Sequence, residues 1–213
     1  MRITFFIDTL RPGGKEKQLV ELVKRLCDLT DIVCEVVLMD RDVFYTDLFD
    51  IDVKVHFIKS RFPKDPMVIK ALYDICSAFR SDIIHAWGYP MVLYAWPVAK
   101  LIGAKIINGA IRNAAPIKPF SELWWYLKLT IPISDMVIAN SQAGLRLFGN
   151  SKSHKFRCIP NGLSSDQLLE APAPLGNVEN ELRIGSSKVI GMVANFADRK
   201  DYETPIRAVL ELL

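Results

Sequence analysis

The sequence predicts an α/β chain built on a doubly wound, mostly parallel sheet, and three observations carry that expectation. Apolar strand-like runs recur along the chain, helical patterns lie between them, and glycine or proline punctuates the junctions. The first unit sets the pattern. Residues 3–7 form a continuous apolar run, Pro12-Gly13-Gly14 turns the chain, and Leu19, Leu22, Val23 and Leu26 then recur at helical spacing. Further strands are expected at 32–39, 53–58, 83–86, 105–108, 136–140 and 156–159, with helices at about 67–79, 91–102, 121–129 and 142–147. Strands apolar on both faces and separated by helices belong to parallel sheets covered on both sides.

Three segments follow from the same reading. Residues 1–163 form the first Rossmann-like domain, closed by the turn Pro160-Asn161-Gly162. Residues 164–187, with Ala-Pro-Ala-Pro-Leu-Gly, read as an interdomain linker. Residues 188–213 start a second domain, with a strand at 188–193 and a helix from 204. The chain ends on apolar Leu212 and Leu213, which predicts a truncated product whose unfinished second domain favours self-association.

Composition excludes several classes. The 213 residues carry 27 basic and 24 acidic side chains for a net charge of +3, without the basic clusters of a nucleic-acid surface. Cys27, Cys34, Cys76 and Cys158 lie in apolar segments with neither CxxC spacing nor a histidine cluster, so no metal or disulfide framework is expected. The short apolar start is no leader peptide, and the longest apolar stretch, 91–99, falls well below the roughly 20 residues of a bilayer span. A cytoplasmic protein is expected.

In such a sheet, ligands gather outside the carboxyl ends of the strands, so residues just after each strand are the candidates. Gly13 and Gly14 precede a helix start that favours an anion, although on its own the pair is more often a plain tight turn and GxGxxG is missing. His85 and Trp87 end the fourth strand and suit a sugar pocket, by hydroxyl recognition and ring stacking, or else packed core positions. Arg112 and Asn113 follow the fifth strand; the arginine fits a donor diphosphate, an anionic acceptor, or simply the surface. Phe120, Leu123, Trp124 and Leu127 share one helical face, beside Trp125, Lys118 and Lys128. A core-facing stripe is the preferred reading there, with an acceptor groove or membrane-surface contact as alternatives.

Taken in order, Gly13-Gly14-Lys15-Glu16, Asp82-Ile83-Ile84-His85, Val137-Ile138-Ala139-Asn140-Ser141 and Ile159-Pro160-Asn161-Gly162 resemble glycosyltransferase family 4. These are retaining enzymes of two-domain GT-B architecture. The stretch from Val189 to Lys200 resembles the start of the family's second domain, with Asn195 where arginine is usual and Asp201 where glycine is common. The resemblance implies transfer of a sugar from a nucleotide-sugar donor to a saccharide or lipid-linked acceptor, in surface polysaccharide or glycan synthesis. His85, Arg112 and Lys200 become the catalytic candidates. Gly13, Gly14, Asn195, Arg199 and Lys200 border the donor, and Trp87, Asn113 and Trp124 the acceptor. No metal or cofactor is implied, since the nucleotide-sugar is itself a substrate, and peripheral contact with the inner membrane face accompanies the lipid-linked case. Because the paired glutamates of the family's second domain are not in this sequence, the chain alone is expected to be inactive. Two alternatives stay open: a sugar-nucleotide epimerase of related plan, and a non-catalytic half that binds acceptor or partner subunit.

Overall fold

The computed structural model describes residues 1–112, 116–148, 153–163, 190–192 and 201–211. The chain divides into two compact units, Met1–Gln167 and Leu168–Leu213. In the first unit, seven strands form one sheet in the order β3-β2-β1-β4-β5-β6-β7, every pair parallel. They are β1 (Arg2–Ile7), β2 (Val33–Leu38), β3 (Lys54–Phe57), β4 (Ile83–Ala86), β5 (Lys105–Ile111), β6 (Met136–Ala139) and β7 (Phe156–Cys158). Helices α1 (Gly14–Cys27), α2 (Met67–Phe79), α3 (Tyr89–Ile102), α4 (Glu122–Ile133) and α5 (Gln142–Phe148) connect them. The doubly wound parallel sheet is therefore the fold, as the alternation of periods predicted.

Strand side chains alternate between faces, and the core is split accordingly. Phe6, Val37, Ile84, Ala86 and Ile106 bury against α2 and α3, while Phe5, Ile7, Val36 and Leu38 bury against α1. A third cluster joins Ile111, Val137 and Ala139 to Leu145 of α5 and to Phe156. The strand order reverses at β1 and β4, which places a switch point between them.

Two features depart from the sequence reading. A short 3₁₀ helix, Thr46–Asp50, intervenes between β2 and β3 and buries Leu48 completely. More important for function, β5 continues past Asn108 to Ile111, with a register shift between those two residues. Asn108-Gly109 reads as a turn, but the Asn108 side-chain carbonyl accepts the Ala110 N–H at 3.0 Å and absorbs the irregularity inside the strand.

In the second unit, helix α6 (Glu203–Leu210) follows Asp201, whose carboxylate accepts the Thr204 N–H at 3.2 Å. The strand expected at 188–193 falls mostly outside the described residues, and Ile190, Gly191 and Met192 within it lie in no regular element. The expected linker, 164–187, also lies outside the described residues.

Candidate active site

A cleft of about 320 Å³ opens in the first unit, walled by Gln18, Glu21, Leu22 and Arg25 of α1, by His85, Trp87, Arg112 and Ile138 from the sheet, and by 159–163 after β7. Parallel pairing produces this grouping. His85 lies in register with Phe5 on one side and Ile107 on the other, and Arg112 directly follows β5. The two residues singled out at strand ends thus reach one cleft.

Their environment is unusual. His85 is packed between the rings of Phe5, 5.4 Å away, and Trp87, 5.1 Å away. Gly109 makes this possible: a β-carbon there would stand 2.7 Å from His85 Nε2 and 3.2 Å from Arg112 Nη2. Imidazole and guanidinium therefore converge on the space that Gly109 leaves. Arg112 stacks on the Trp87 ring with its guanidinium carbon 3.8 Å from the centroid, and its Nε donates to the Gly109 carbonyl at 2.8 Å. Burial, reinforced by the Arg112 charge, pushes the His85 pKa down to about 3, and burial pushes that of Arg112 down to about 10. The imidazole is neutral near pH 7, and the guanidinium stays charged.

Among the described residues, four buried polar atoms have no hydrogen-bond partner: His85 Nε2, Trp87 Nε1, Asn108 Nδ2 and Asn140 Oδ1. Such atoms are costly in a core and common where a ligand supplies the partner. Asn140 belongs to the same neighbourhood, since its Nδ2 donates to the Arg112 carbonyl at 3.2 Å.

The other expected site residues are placed differently. Trp87 was expected to stack on a sugar, but Arg112 covers its ring, His85 packs beside it and it is 2% exposed; it is a platform for the guanidinium. Trp124 packs on Phe120, Trp125 and Lys128, away from the cleft lining. Gly13 caps α1 and exchanges hydrogen bonds with the Tyr45 hydroxyl, which takes its N–H at 3.2 Å; neither Gly13 nor Gly14 lines the cleft. Asn113, Asn195, Arg199 and Lys200 lie outside the described residues.

Sequence reasoning missed the α1 wall. Gln18 holds the loop after β7 with two bonds, donating to the Gly162 carbonyl at 2.7 Å and accepting its N–H at 2.8 Å. The signal was present in the spacing of Gln18, Glu21 and Arg25, a polar edge three and four residues apart beside the apolar stripe.

Comparison with known proteins agrees with this architecture. The HepE protein of Anabaena, solved in complex with UDP and glucose, superposes with a TM-score of 0.77 at 20% identity, over 100% of this chain and 58% of that one. A glycosyltransferase from Rickettsia africae gives 0.73 at 18% identity, over 99% and 57%. A UDP-GlcNAc 2-epimerase from Methanocaldococcus jannaschii gives 0.55 at 14% identity, over 76% and 46%. The chain thus spans little more than half the length of the first two structures and less than half of the third. No curated protein matches it. The sequence profile of Glycosyltransferase Family 4 matches residues 12–167, and the chain belongs to that family.

Proposed function

We propose that this protein takes part in retaining transfer of a sugar from a nucleotide-sugar donor to a saccharide or lipid-linked acceptor. The observation that carries the reading is the cleft of His85 and Arg112, with its unpartnered buried polar atoms, in a chain of this family. The HepE structures hold UDP and UDP-glucose, which supports a nucleotide-sugar as donor. In this proposal residues 1–163 form the acceptor-side domain, 164–187 the linker and 188–213 the start of the donor-binding domain. The family match favours transfer over the epimerase reading, because the epimerases share only the fold at low identity.

Each proposed role follows from chemistry. Retaining transfer passes through an oxocarbenium-like state, so charges fixed near the leaving diphosphate and the reacting ring lower the barrier. Lys200 neutralises the departing diphosphate, with Arg199 and Asn195 beside it, and Gly13 and Gly14 border the same group at the α1 amino terminus. His85, neutral and buried, hydrogen-bonds a sugar hydroxyl rather than carrying a proton as a cation. Arg112 supplies positive charge within the cleft.

The proposal includes peripheral contact with the inner membrane face. Among the described residues no helix is long and apolar enough to cross a membrane. However, Phe120, Trp125 and Leu129 are exposed beside Lys118 and Lys128, an aromatic and basic surface suited to lipid headgroups. The activity is tested by incubating the protein with uridine, guanosine and adenosine diphosphate sugars and saccharide or lipid-linked acceptors, followed by product analysis. The 213-residue chain alone is expected to show no turnover; in a full-length enzyme that also carries the paired glutamates, Lys200→Ala at saturating donor lowers turnover about a hundredfold. Equal rates for wild type and variant remove Lys200 from the mechanism.

A further inference from the structure

Arg112 holds a charge that no described residue of the first unit answers. It is a cation at any physiological pH, it is mostly buried, and no carboxylate among the described residues pairs with it. Withdrawing an unpaired charge from water is expensive, and stacking on Trp87 offsets only part of that cost. The Nε–H bond to Gly109 leaves the two terminal nitrogens for an incoming group. Across the cleft, Glu21 is the carboxylate on the α1 wall, and it is accompanied by Arg25 one turn later. Beside the guanidinium, His85 Nε2 and Trp87 Nε1 are buried without partners among the described residues.

We propose that this cleft selects a saccharide bearing an acidic group, whose carboxylate or phosphate pairs with the Arg112 guanidinium. Calling that saccharide the acceptor rests on the transferase reading; the pairing itself does not. A cation fixed by a ring platform and a backbone carbonyl loses little freedom on binding, and its planar fork matches both anions.

The test is thermal-shift titration of the purified chain at low salt with methyl glucuronide, glucose 1-phosphate, neutral methyl glucoside and UDP. The acidic sugars raise the melting temperature with dose, and the neutral glucoside has no such effect. Arg112→Met weakens acidic-sugar binding by about tenfold or more, the loss of a charged hydrogen-bond partner. Arg112→Lys retains part of it, as a point charge without the fork. Circular dichroism and the unliganded melting curve of each variant establish that it is folded. Equal binding of neutral and acidic sugars, undiminished acidic binding in Arg112→Met, or no acidic binding at all overturns the proposal. UDP as the sole Arg112-dependent ligand also overturns it, by assigning the cation to the donor diphosphate, and leaves the transferase reading intact.

Discussion

His85 links position, burial and charge at the scale of a single residue. Its ordinary pKa is near 6.5, and burial with the Arg112 charge lowers it to about 3 in the folded chain. Between those values the unfolded chain binds a proton that the folded chain excludes, so stability is present above pH 6.5 and lost as pH falls toward 3. The slope reaches about 1.4 kcal/mol per pH unit. Glu35, whose carboxyl burial pushes up, acts in the opposite direction, so the readout is the difference between wild type and His85→Gln. Urea unfolding at pH 7, 6, 5 and 4 should show the variant less acid-sensitive; parallel curves would mean the imidazole is protonated in the fold. Gly109 gives a second case. Gly109→Ala brings a methyl against both the wedged imidazole and the guanidinium, and a loss of about 1–3 kcal/mol is expected in the same assay. His85 and Arg112 were legible as candidates because both come at strand ends, where parallel sheets gather ligands. Gly109 was not, because Asn-Gly signals a turn and only the register of β4 and β5 reveals what a side chain would strike.

Element α4 shows where periodicity misleads. The stripe of Phe120, Leu123, Trp124 and Leu127 suggested a core-facing helix; Leu127 is buried, but Phe120 is 76% exposed and Trp125, beside the stripe, 51%. The core contact of α4 runs through Leu127 of the stripe and through Thr130, which bonds back to the Tyr126 carbonyl at 2.7 Å. Phe120 precedes the helix with a φ of 62°, so it leaves the stripe altogether. A sequence pattern locates an apolar face but not the element that covers it, and here Leu123 and Trp124 are left half-buried. If the surface meets a membrane, the chain co-sediments with vesicles rich in anionic lipid and not with neutral ones. Phe120→Ser with Trp125→Ser should lower that binding about thirtyfold, since each large apolar group contributes on the order of 1 kcal/mol at an interface. Unchanged binding in the double variant would place the contact elsewhere. The extension of β5 is the complementary lesson: an asparagine that supplies its own hydrogen bond lets a strand continue through a turn signal.

At the scale of the whole molecule, the alternation of strands and helices was legible because a parallel sheet buried on both faces demands it, and the winding follows from right-handed crossovers. The cleft was legible only in part, since its α1 wall and the loop after β7 meet through a contact 144 positions apart in sequence, between Gln18 and Gly162. The three clusters of buried apolar residues lie between Ile3 and Phe156, and every residue lining the cleft lies between Gln18 and Leu163. Core and cleft therefore belong to the same unit. A chain of residues 1–167 should accordingly fold by itself, unfold in one transition with coincident near- and far-ultraviolet circular dichroism, and melt within a few degrees of the 213-residue chain, on the order of 2–4 °C for each kcal/mol lost. It should also keep the ligand-induced thermal shift, because every described residue that lines the cleft lies at or before Leu163. Gln18→Ala in this shorter chain removes both bonds to Gly162 and should weaken that shift without lowering the unliganded melting point by more than a few degrees. A shorter chain that unfolds gradually, or folds but loses the shift, would show that residues after 167 complete the core or the cleft.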